Sequence, residues 1–542
     1  MSTPLGGDDD APGGNFVRIN SGSRARRALA LLAIVAVAAA GCSSDKETTG
    51  GTDTTKSKAD PNGIIKVGYD LIQQPGAIVL GDPTKLDASA TSTDALYFLV
   101  YGRFMRKNAD GTLTPQLAKS ATITDKNTIS IVLREGLTFS DGTPLDAAAV
   151  KAGLDRSVAS NNTTAFLEPF FALKTVDVVS PTEVKLNFPG GTAGSWYDQY
   201  ITGWQTSIVK PGETDFEKPT GAGPMKIVSY ARGQKLVLAK NDKYYDPSAV
   251  KVAGMELTHI ANASPQSGIA ALRQGQVDIT FTDPSQLASL SGDLEPFPRI
   301  SADQSVWMHV CKRSGPLANE KVRVALNKAI DREAINKAIF QGTAEPSTGL
   351  WPKGHKFSNP ETADFLDYDP DEAKKLLKEA GFEKFTVDVY PIAFAGIPEA
   401  AEVMKQQLEA VGITLNIKST TNYVNDYLNP QAEGLGIFPG NAIGVQKLTG
   451  YTGDGLGNVC RWSDPKITEI FEKLSSLSES DPQAKELWYE AEEIVIKQAL
   501  TGFVLFRSAL AAYNTSRLGD LTAVQLGQYV VPDPTVTYVK AS

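Results

Sequence analysis

The stretch LDASATSTDALYFLVYGRFMRKNADGTLTPQLAKSATITDKNTISIVLREGLTFSDGTPLDAAAVKAGLDRSV, running from Leu86 to Val158, decides the fold class. Inside it the β-branched run Thr128-Ile129-Ser130-Ile131-Val132-Leu133 reads as a strand. Pro144-Leu145-Asp146-Ala147-Ala148-Ala149-Val150-Lys151 reads as the opening of a helix. Between them Asp141-Gly142 is a turn signal. Arg134, in Leu133-Arg134-Glu135-Gly136, is expected to anchor a carboxylate or to cap the turn at Gly136. Short β-branched runs alternate with helical stretches through the rest of the chain, which is an α/β pattern.

Further along, apolar Val322, Leu326, Ile330 and Ala334 recur at helical spacing, and the pattern predicts one helix from about Asn319 to Phe340, stopped at Gly342. Asp331 and Arg332 fall near its end and are read as internal ion-pair partners. A second helix is expected from Pro370 to Ala380, with Asp369 as N-cap, Leu376 and Leu377 inward, and Gly381 at its end. Its Asp371, Glu372, Lys374 and Lys375 read as a solvated face. Gly221 and Gly223 suggest unusual backbone angles or a close approach between segments. No repeat with a period of 20 to 50 residues is evident, which argues against solenoids and propellers.

At the N-terminus Arg24, Arg26 and Arg27 precede an apolar run from Ala28 to Ala40, then Gly41 and Cys42. Such a run, rising about 1.5 Å per residue in a helix, falls short of a hydrocarbon core of roughly 30 Å and reads as a secretion signal. Ala39-Ala40-Gly41-Cys42 resembles the bacterial lipobox, in which a diacylglyceryl group is placed on the cysteine before cleavage; a Leu is usual where Ala39 stands. The alternative is ordinary cleavage nearby, with Cys42 a spectator. Residues 42–63 are polar and predicted to form a flexible tether, and the folded body begins at Ile64-Ile65-Lys66-Val67-Gly68-Tyr69.

About 480 residues remain for the body, too many for one compact domain, so two or three lobes are expected. The net charge of -9 and the dispersed Lys and Arg argue against a nucleic-acid partner. With Cys42 assigned to lipid, Cys311 and Cys460 remain for one possible disulfide in an oxidising compartment, the alternative being two buried thiols. The only histidines, His259, His309 and His355, have no paired spacing, so no metal site of protein ligands and no cofactor are expected. There is no Gly-x-Ser-x-Gly elbow, no His-Glu-x-x-His, no phosphate-binding loop and no Cys-x-x-Cys, which leaves an enzyme reading resting on carboxylates such as Asp278 and Asp331.

Five segments, in order, resemble the family 5 extracellular solute-binding proteins, the peptide- and nickel-binding group. These are the opening stretch above; Pro219-Thr220-Gly221-Ala222-Gly223-Pro224; the run from Gly233 to Leu238 with Asn241 to Tyr245; Ala271-Leu272-Arg273-Gln274-Gly275-Gln276-Val277-Asp278-Ile279; and Val322 to Arg332. The resemblance spans roughly residues 64 to 500.

The resemblance implies a bilobed α/β fold of the class II periplasmic-binding type with an additional domain inserted in lobe 1. Lobe 1 is placed at 64–98, 214–304 and 498–542, the inserted domain at 99–213, and lobe 2 at 305–497. Strands passing between the lobes would form a hinge, with a small solute, peptide or oligosaccharide trapped in the cleft and handed to an ABC permease in the membrane. It implies no enzyme, a monomer, and a protein held outside the cytoplasmic membrane by lipid on Cys42. A transport-inactive interaction or envelope-regulatory module on the same fold is the alternative. Residues implied to approach the cleft are Tyr97, Trp307, His309, Trp351, Tyr451 and Trp462, each of which also reads as interlobe packing. The peptide receptors normally carry an Asp in the segment matching Leu435 to Ile443; here no acid stands between Glu433 and Asp454, and Asn441 is the nearest polar group.

Overall fold

The computed structural model describes residues 58–69, 94–108, 112–159, 172–260, 265–311, 315–393, 396–420, 426–427, 433–440, 442, 444–452, 458–523 and 530–541. The proposed signal, Cys42, Asn441 and Asp454 lie outside them.

Two long strands organise the body: β12 (Leu294–Cys311) and β17 (Thr501–Asn514), paired antiparallel. At about 3.3 Å per residue β12 extends for close to 60 Å, far beyond an ordinary strand. At one end β17 pairs with β11 (Ile279–Phe281), followed by β1 (Ile64–Tyr69), β10 (Gly254–His259), β9 (Lys235–Lys240) and β8 (Met225–Ala231). At the other, β12 pairs with β16 (Gly434–Gly440), followed by β14 (Phe385–Pro391) and β15 (Ile413–Ile417), while the short β13 (Glu345–Pro346) adds to β17. The β12/β17 register breaks between Ile300 and Ser305 and shifts once more between Val306 and Trp307. One eleven-stranded sheet is thus two half-sheets joined through two strands, with the irregularity at the join.

The buried side chains follow this division. Ile65, Val67, Leu96 to Tyr101, Leu236, Leu238, Met255 and Leu257 form one core against the first half-sheet, with α1 (Asp94–Val100) laid on it. A separate core, running from Phe104 to Ala222, fills the space between a four-stranded antiparallel sheet and the helices α2 (Ala147–Ala159) and α3 (Ala193–Tyr200). That sheet has the order β4 (Ala118–Asp125), β5 (Thr128–Leu133), β7 (Glu183–Asn187), β6 (Thr175–Ser180). In β5 Ile129, Ile131 and Leu133 are buried and alternate with partly exposed residues, the period-two pattern of a half-buried strand. Gly221 and Gly223 serve the close approach: a Cβ at Gly221 would sit 2.0 Å from the carbonyl oxygen of Val100, and one at Gly223 2.4 Å from that of Leu99.

The second half-sheet carries a core on each face. One face packs Val306, Met308, Val310, Leu435 and Ile437 against α5 (Glu320–Lys328), α6 (Arg332–Ile339), α7 (Pro370–Glu379) and α8 (Ile397–Glu409). The other packs Phe503 beside Trp351, Tyr427, Tyr451 and Trp462, with α9 (Pro465–Ser476) and α10 (Pro482–Lys497) behind. Cys311 and Cys460 are joined there by a disulfide.

Three readings of the sequence need correction. The helix expected from Asn319 to Phe340 is two helices, because Asp331 turns extended and caps α6, its carboxylate accepting from the Ala334 N–H at 2.9 Å. Arg332 is not paired with that carboxylate. Its guanidinium is buried and donates to the carbonyls of Phe503, Asn327, Ile330 and Leu366 and to Asn327 Oδ1. Arg134 binds neither a carboxylate nor the turn at Gly136; it donates from Nε to the Gln116 carbonyl at 2.5 Å and lies 4.7 Å over the Tyr245 ring. The charges cannot be read into pairs from sequence because backbone carbonyls satisfy guanidinium donors equally well. The α7 expectation holds in detail: Asp369 accepts from the Glu372 N–H, Pro370 opens the helix and Leu377 is fully buried.

Candidate functional site

The candidate site lies on β12 just past the register break. Its backbone there is paired on both sides, with β16 and β17, so successive side chains are forced to opposite faces. Val306, Met308 and Val310 go into the helical core, which leaves Ser305, Trp307 and His309 in a row on the opposite face. Across from them on β16 stand Gly440, Phe438 and Gly436. The two glycines make room for rings. A Cβ at Gly440 would meet the Trp307 indole at 2.6 Å, and one at Gly436 the Tyr427 ring at 2.0 Å.

The result is a continuous aromatic ledge. Ring centroids follow one another from Trp307 to Phe438 (6.0 Å), Phe438 to His309 (4.5 Å), His309 to Tyr427 (6.1 Å) and Tyr427 to Tyr390 (5.3 Å). Tyr427 is locked beneath by its hydroxyl at 3.3 Å from Cys311 Sγ, whereas Trp307, His309, Phe438 and Tyr390 are all partly exposed. Three polar atoms of the row, Ser305 Oγ, Trp307 Nε1 and His309 Nδ1, are buried without a hydrogen-bond partner among the described residues. Leaving such atoms unpaired costs on the order of 1–3 kcal/mol each, so a row of them on one face is a feature that a bound molecule relieves. Burial pushes His309 down to about 4, so the ring is neutral at physiological pH and offers one donor and one acceptor nitrogen.

The other residues singled out from the sequence are placed differently. Tyr97 is fully buried in the first core, packed on Trp204 and Tyr101. Trp351 is buried with its ring stacked on His355 at 4.4 Å and the Lys447 ammonium 4.7 Å from its centroid. Tyr451 is buried and shares a hydrogen bond of 2.6 Å with the Thr501 hydroxyl; burial raises its phenol above the usual value. Trp462 lies under the Arg323 guanidinium at 4.9 Å. The structure therefore brings Trp307 and His309 together on one accessible face, while Trp351, Tyr451 and Trp462 share the core behind it. Sequence reasoning did not single out Ser305, Tyr390, Tyr427 or Phe438; the alternation of β12 against β16 is the signal that finds Ser305 and Phe438. The carboxylates an enzyme reading would use are both structural: Asp278 accepts from the Lys66 N–H and from Arg517 Nε, and Asp331 is the α6 cap.

Residues 112–440 match the model of the bacterial extracellular solute-binding proteins, family 5 (middle region). The chain is 28% identical over 347 residues to the glutathione-binding protein GsiB of Shigella flexneri serotype 5b, a match covering 61% of this chain and 66% of that protein, just under two thirds of its length. The fold is shared with the ABC transporter substrate-binding protein CtaP of Listeria monocytogenes (TM-score 0.75, 22% identity, 89% of this chain and all of the other). It is shared equally with AppA of Clostridium difficile, described as a putative peptide-binding protein (TM-score 0.74, 19% identity, 88% of this chain and all of the other). The bilobed α/β architecture implied by the sequence resemblance is thus the architecture found. With more than half of its length matched in one unbroken span, this chain belongs to the family 5 bacterial extracellular solute-binding proteins.

Proposed function

We propose that this protein is the solute-capturing component of an ABC importer, binding a small solute between its two half-sheets and delivering it to a membrane permease, and that it is not an enzyme. The observation that carries this is the row Ser305, Trp307 and His309, whose polar atoms are buried yet unpartnered beside a partly exposed aromatic ledge. Aromatic walls beside a few convergent polar groups are what capture of a small molecule needs. The mechanism is a population shift: a solute touching both lobes favours the closed form by its differential affinity, and the permease reads closure. On this reading the lobes are 64–98, 214–304 and 498–542 for the first, 305–497 for the second, and 99–213 for the inserted domain, with the hinge at the β12/β17 register break. The protein acts outside the cytoplasmic membrane as a monomer, anchored by lipid on Cys42. Among the described residues no helix is long and apolar enough to cross a membrane.

The test is a thermal-shift screen of the chain from Ser43 onward, unfolded and refolded to strip co-purified solute, against glutathione and other short peptides, oligosaccharides and metal chelates. A solute at 100 times its dissociation constant stabilises by about 2.7 kcal/mol. The expected result is a shift with one class that Trp307→Ala abolishes. No shift with any class would favour the interaction-module reading instead.

A further inference from the structure

Away from the ledge, α3 of the inserted unit is seated on the second lobe. Gly194 lies so close to the turn after α9 that a Cβ there would meet the Leu477 carbonyl carbon at 2.3 Å. One turn further along the same face, Asp198 reaches the connection between α9 and α10. Its Oδ1 accepts from the Ser478 hydroxyl at 3.1 Å and its Oδ2 from the Glu479 N–H at 2.5 Å. Gln446 Nε2 donates to the Tyr200 hydroxyl at 3.4 Å beside them. Ser195, Asp198 and Gln199 of α3 face Leu477, Glu479 and Trp488 across this contact.

We propose that Asp198 is the residue that couples closure of the two lobes to proton uptake: seating it against Ser478 and Glu479 makes the closed form bind a proton that the open form does not, so that acidification tightens capture. The inference rests on the reading that the lobes open and close around a solute.

Seating the Asp198 carboxyl moves it from water into a half-buried contact and brings it against a second carboxylate, Glu479. The charged groups facing it are that Glu479, Lys356, which pairs with Glu479 at 3.6 Å, and, from its own helix, the phenol of Tyr197. Burial, and next the Glu479 charge, raise the Asp198 carboxyl to about 7, against the lowering effects of the Glu479 N–H, the Ser478 hydroxyl and Lys356. When the carboxyl takes a proton, its O–H can donate to the Ser478 oxygen, the hydroxyl reversing its role, while the other oxygen still accepts from the Glu479 N–H. In the open form the group is in water and titrates as an ordinary carboxylic acid near 4. The sign follows. The closed value lies above the open one, so the closed form holds more protons between about 4 and 7, and closure is favoured as pH falls through 7. Between pH 8 and pH 6 the closed-to-open ratio rises by about tenfold.

The experiment reads closure without any solute, and so separates failure of this inference from failure of the transport reading. Spin labels at Lys185→Cys and Glu472→Cys, both exposed, are placed on the full chain carrying Cys42→Ser; Cys311 and Cys460 are held in their disulfide. The distance distribution is measured by pulsed electron resonance from pH 8 to pH 5.5. Expected are a short-distance population whose ratio to the long one rises about tenfold between pH 8 and 6, no such rise in Asp198→Asn, and a midpoint moved to lower pH in Glu479→Gln, which keeps Asp198 and removes the like charge. A distribution that does not change with pH, an Asp198→Asn chain that retains the wild-type response, or an unmoved midpoint in folded Glu479→Gln overturns the proposal.

Discussion

Replacing Arg332 by Met is expected to be among the most costly single changes in the second lobe. The guanidinium is 5% exposed and makes hydrogen bonds of 2.8 Å to the Phe503 carbonyl, 3.1 Å to those of Asn327 and Ile330, 3.2 Å to that of Leu366 and 3.0 Å to Asn327 Oδ1. It therefore ties the α5/α6 junction to the long strand β17 and to the loop ahead of α7. Met fills a similar volume and donates nothing. Bonds to a charged donor contribute about 1.5–3 kcal/mol each in net terms, and each carbonyl left without another donor costs about 1–3 kcal/mol. Against this, the variant no longer buries a cation, whose desolvation lowers Arg332 to about 10. The balance is a loss of about 4 kcal/mol, which for a cooperative unit of the size of lobe 2 is a fall in Tm of roughly 10 °C. Scanning calorimetry of the wild type and Arg332→Met measures it. Lys321→Met, which breaks the exposed pair with Glu379, is the control and should change Tm little. A loss below about 1 kcal/mol in Arg332→Met would refute the view that this buried cation is held by its carbonyl shell.

Gly221→Ala places a methyl 2.0 Å from a backbone carbonyl that has no rotamer to escape into, so a destabilisation of about 3 kcal/mol is expected, and an unchanged Tm contradicts the close approach. The Cys311→Ser, Cys460→Ser double variant releases a loop closed over a separation of 149 residues; chain entropy assigns that about 5 kcal/mol, and calorimetry showing no loss would mean the denatured chain is not the state the bridge restrains. Burial holds His309 at about 4 in the folded protein, below its unfolded value of 6.5, so its contribution to stability is present above 6.5 and is lost as pH falls through 4. A smaller fall in Tm between pH 7 and pH 4.5 in His309→Gln than in the wild type is the expected outcome. Asp198 and Glu492, raised to about 7, act with the opposite sign in both proteins, so only the difference between the two is diagnostic.

The strands and helices were largely legible because they depend on local pattern: β5 alternates as its β-branched residues require, and α7 carries its cap, its first-turn proline and its buried Leu377 where the sequence puts them. What was not legible depends on partners distant in the chain. Asp331 turns extended and caps α6 although the apolar spacing runs through it unbroken, and the arginine that follows it is held by a strand 171 residues away rather than by a carboxylate. Arg134 finds carbonyls rather than a carboxylate for the same reason. The site divides in the same way. Aromatic residues marked Trp307, His309, Trp351, Tyr451 and Trp462 together, but only strand register separates the first two, on an accessible face, from the others in the core behind. From sequence the segment Leu435 to Ile443 stands out for an acid it lacks; in the structure its Gly436 and Gly440 matter for the rings they admit.

Where β12 changes register has a consequence for how the proposed capture would work. From Ser305 to His309 the strand is paired on both sides, and its pairing with β16 continues to Cys311; Val306, Met308 and Val310 are essentially inaccessible to solvent beneath it. A backbone so held cannot move without breaking a packed core, so the row of Ser305, Trp307 and His309 is formed before any solute arrives. Motion between the lobes has to be taken up elsewhere, and the longer of the two irregularities in the β12/β17 pairing, from Ile300 to Ser305, lies outside this row. On this view the ledge supplies selection, as a rigid surface that costs little to order on binding, and the seating of α3 against the α9–α10 connection adds a pH-dependent bias toward closure that does not depend on the solute. The two are then separable by mutation. Trp307→Ala should weaken capture without altering the pH response of the empty protein, and Asp198→Asn should remove that response while leaving the choice among solutes unchanged.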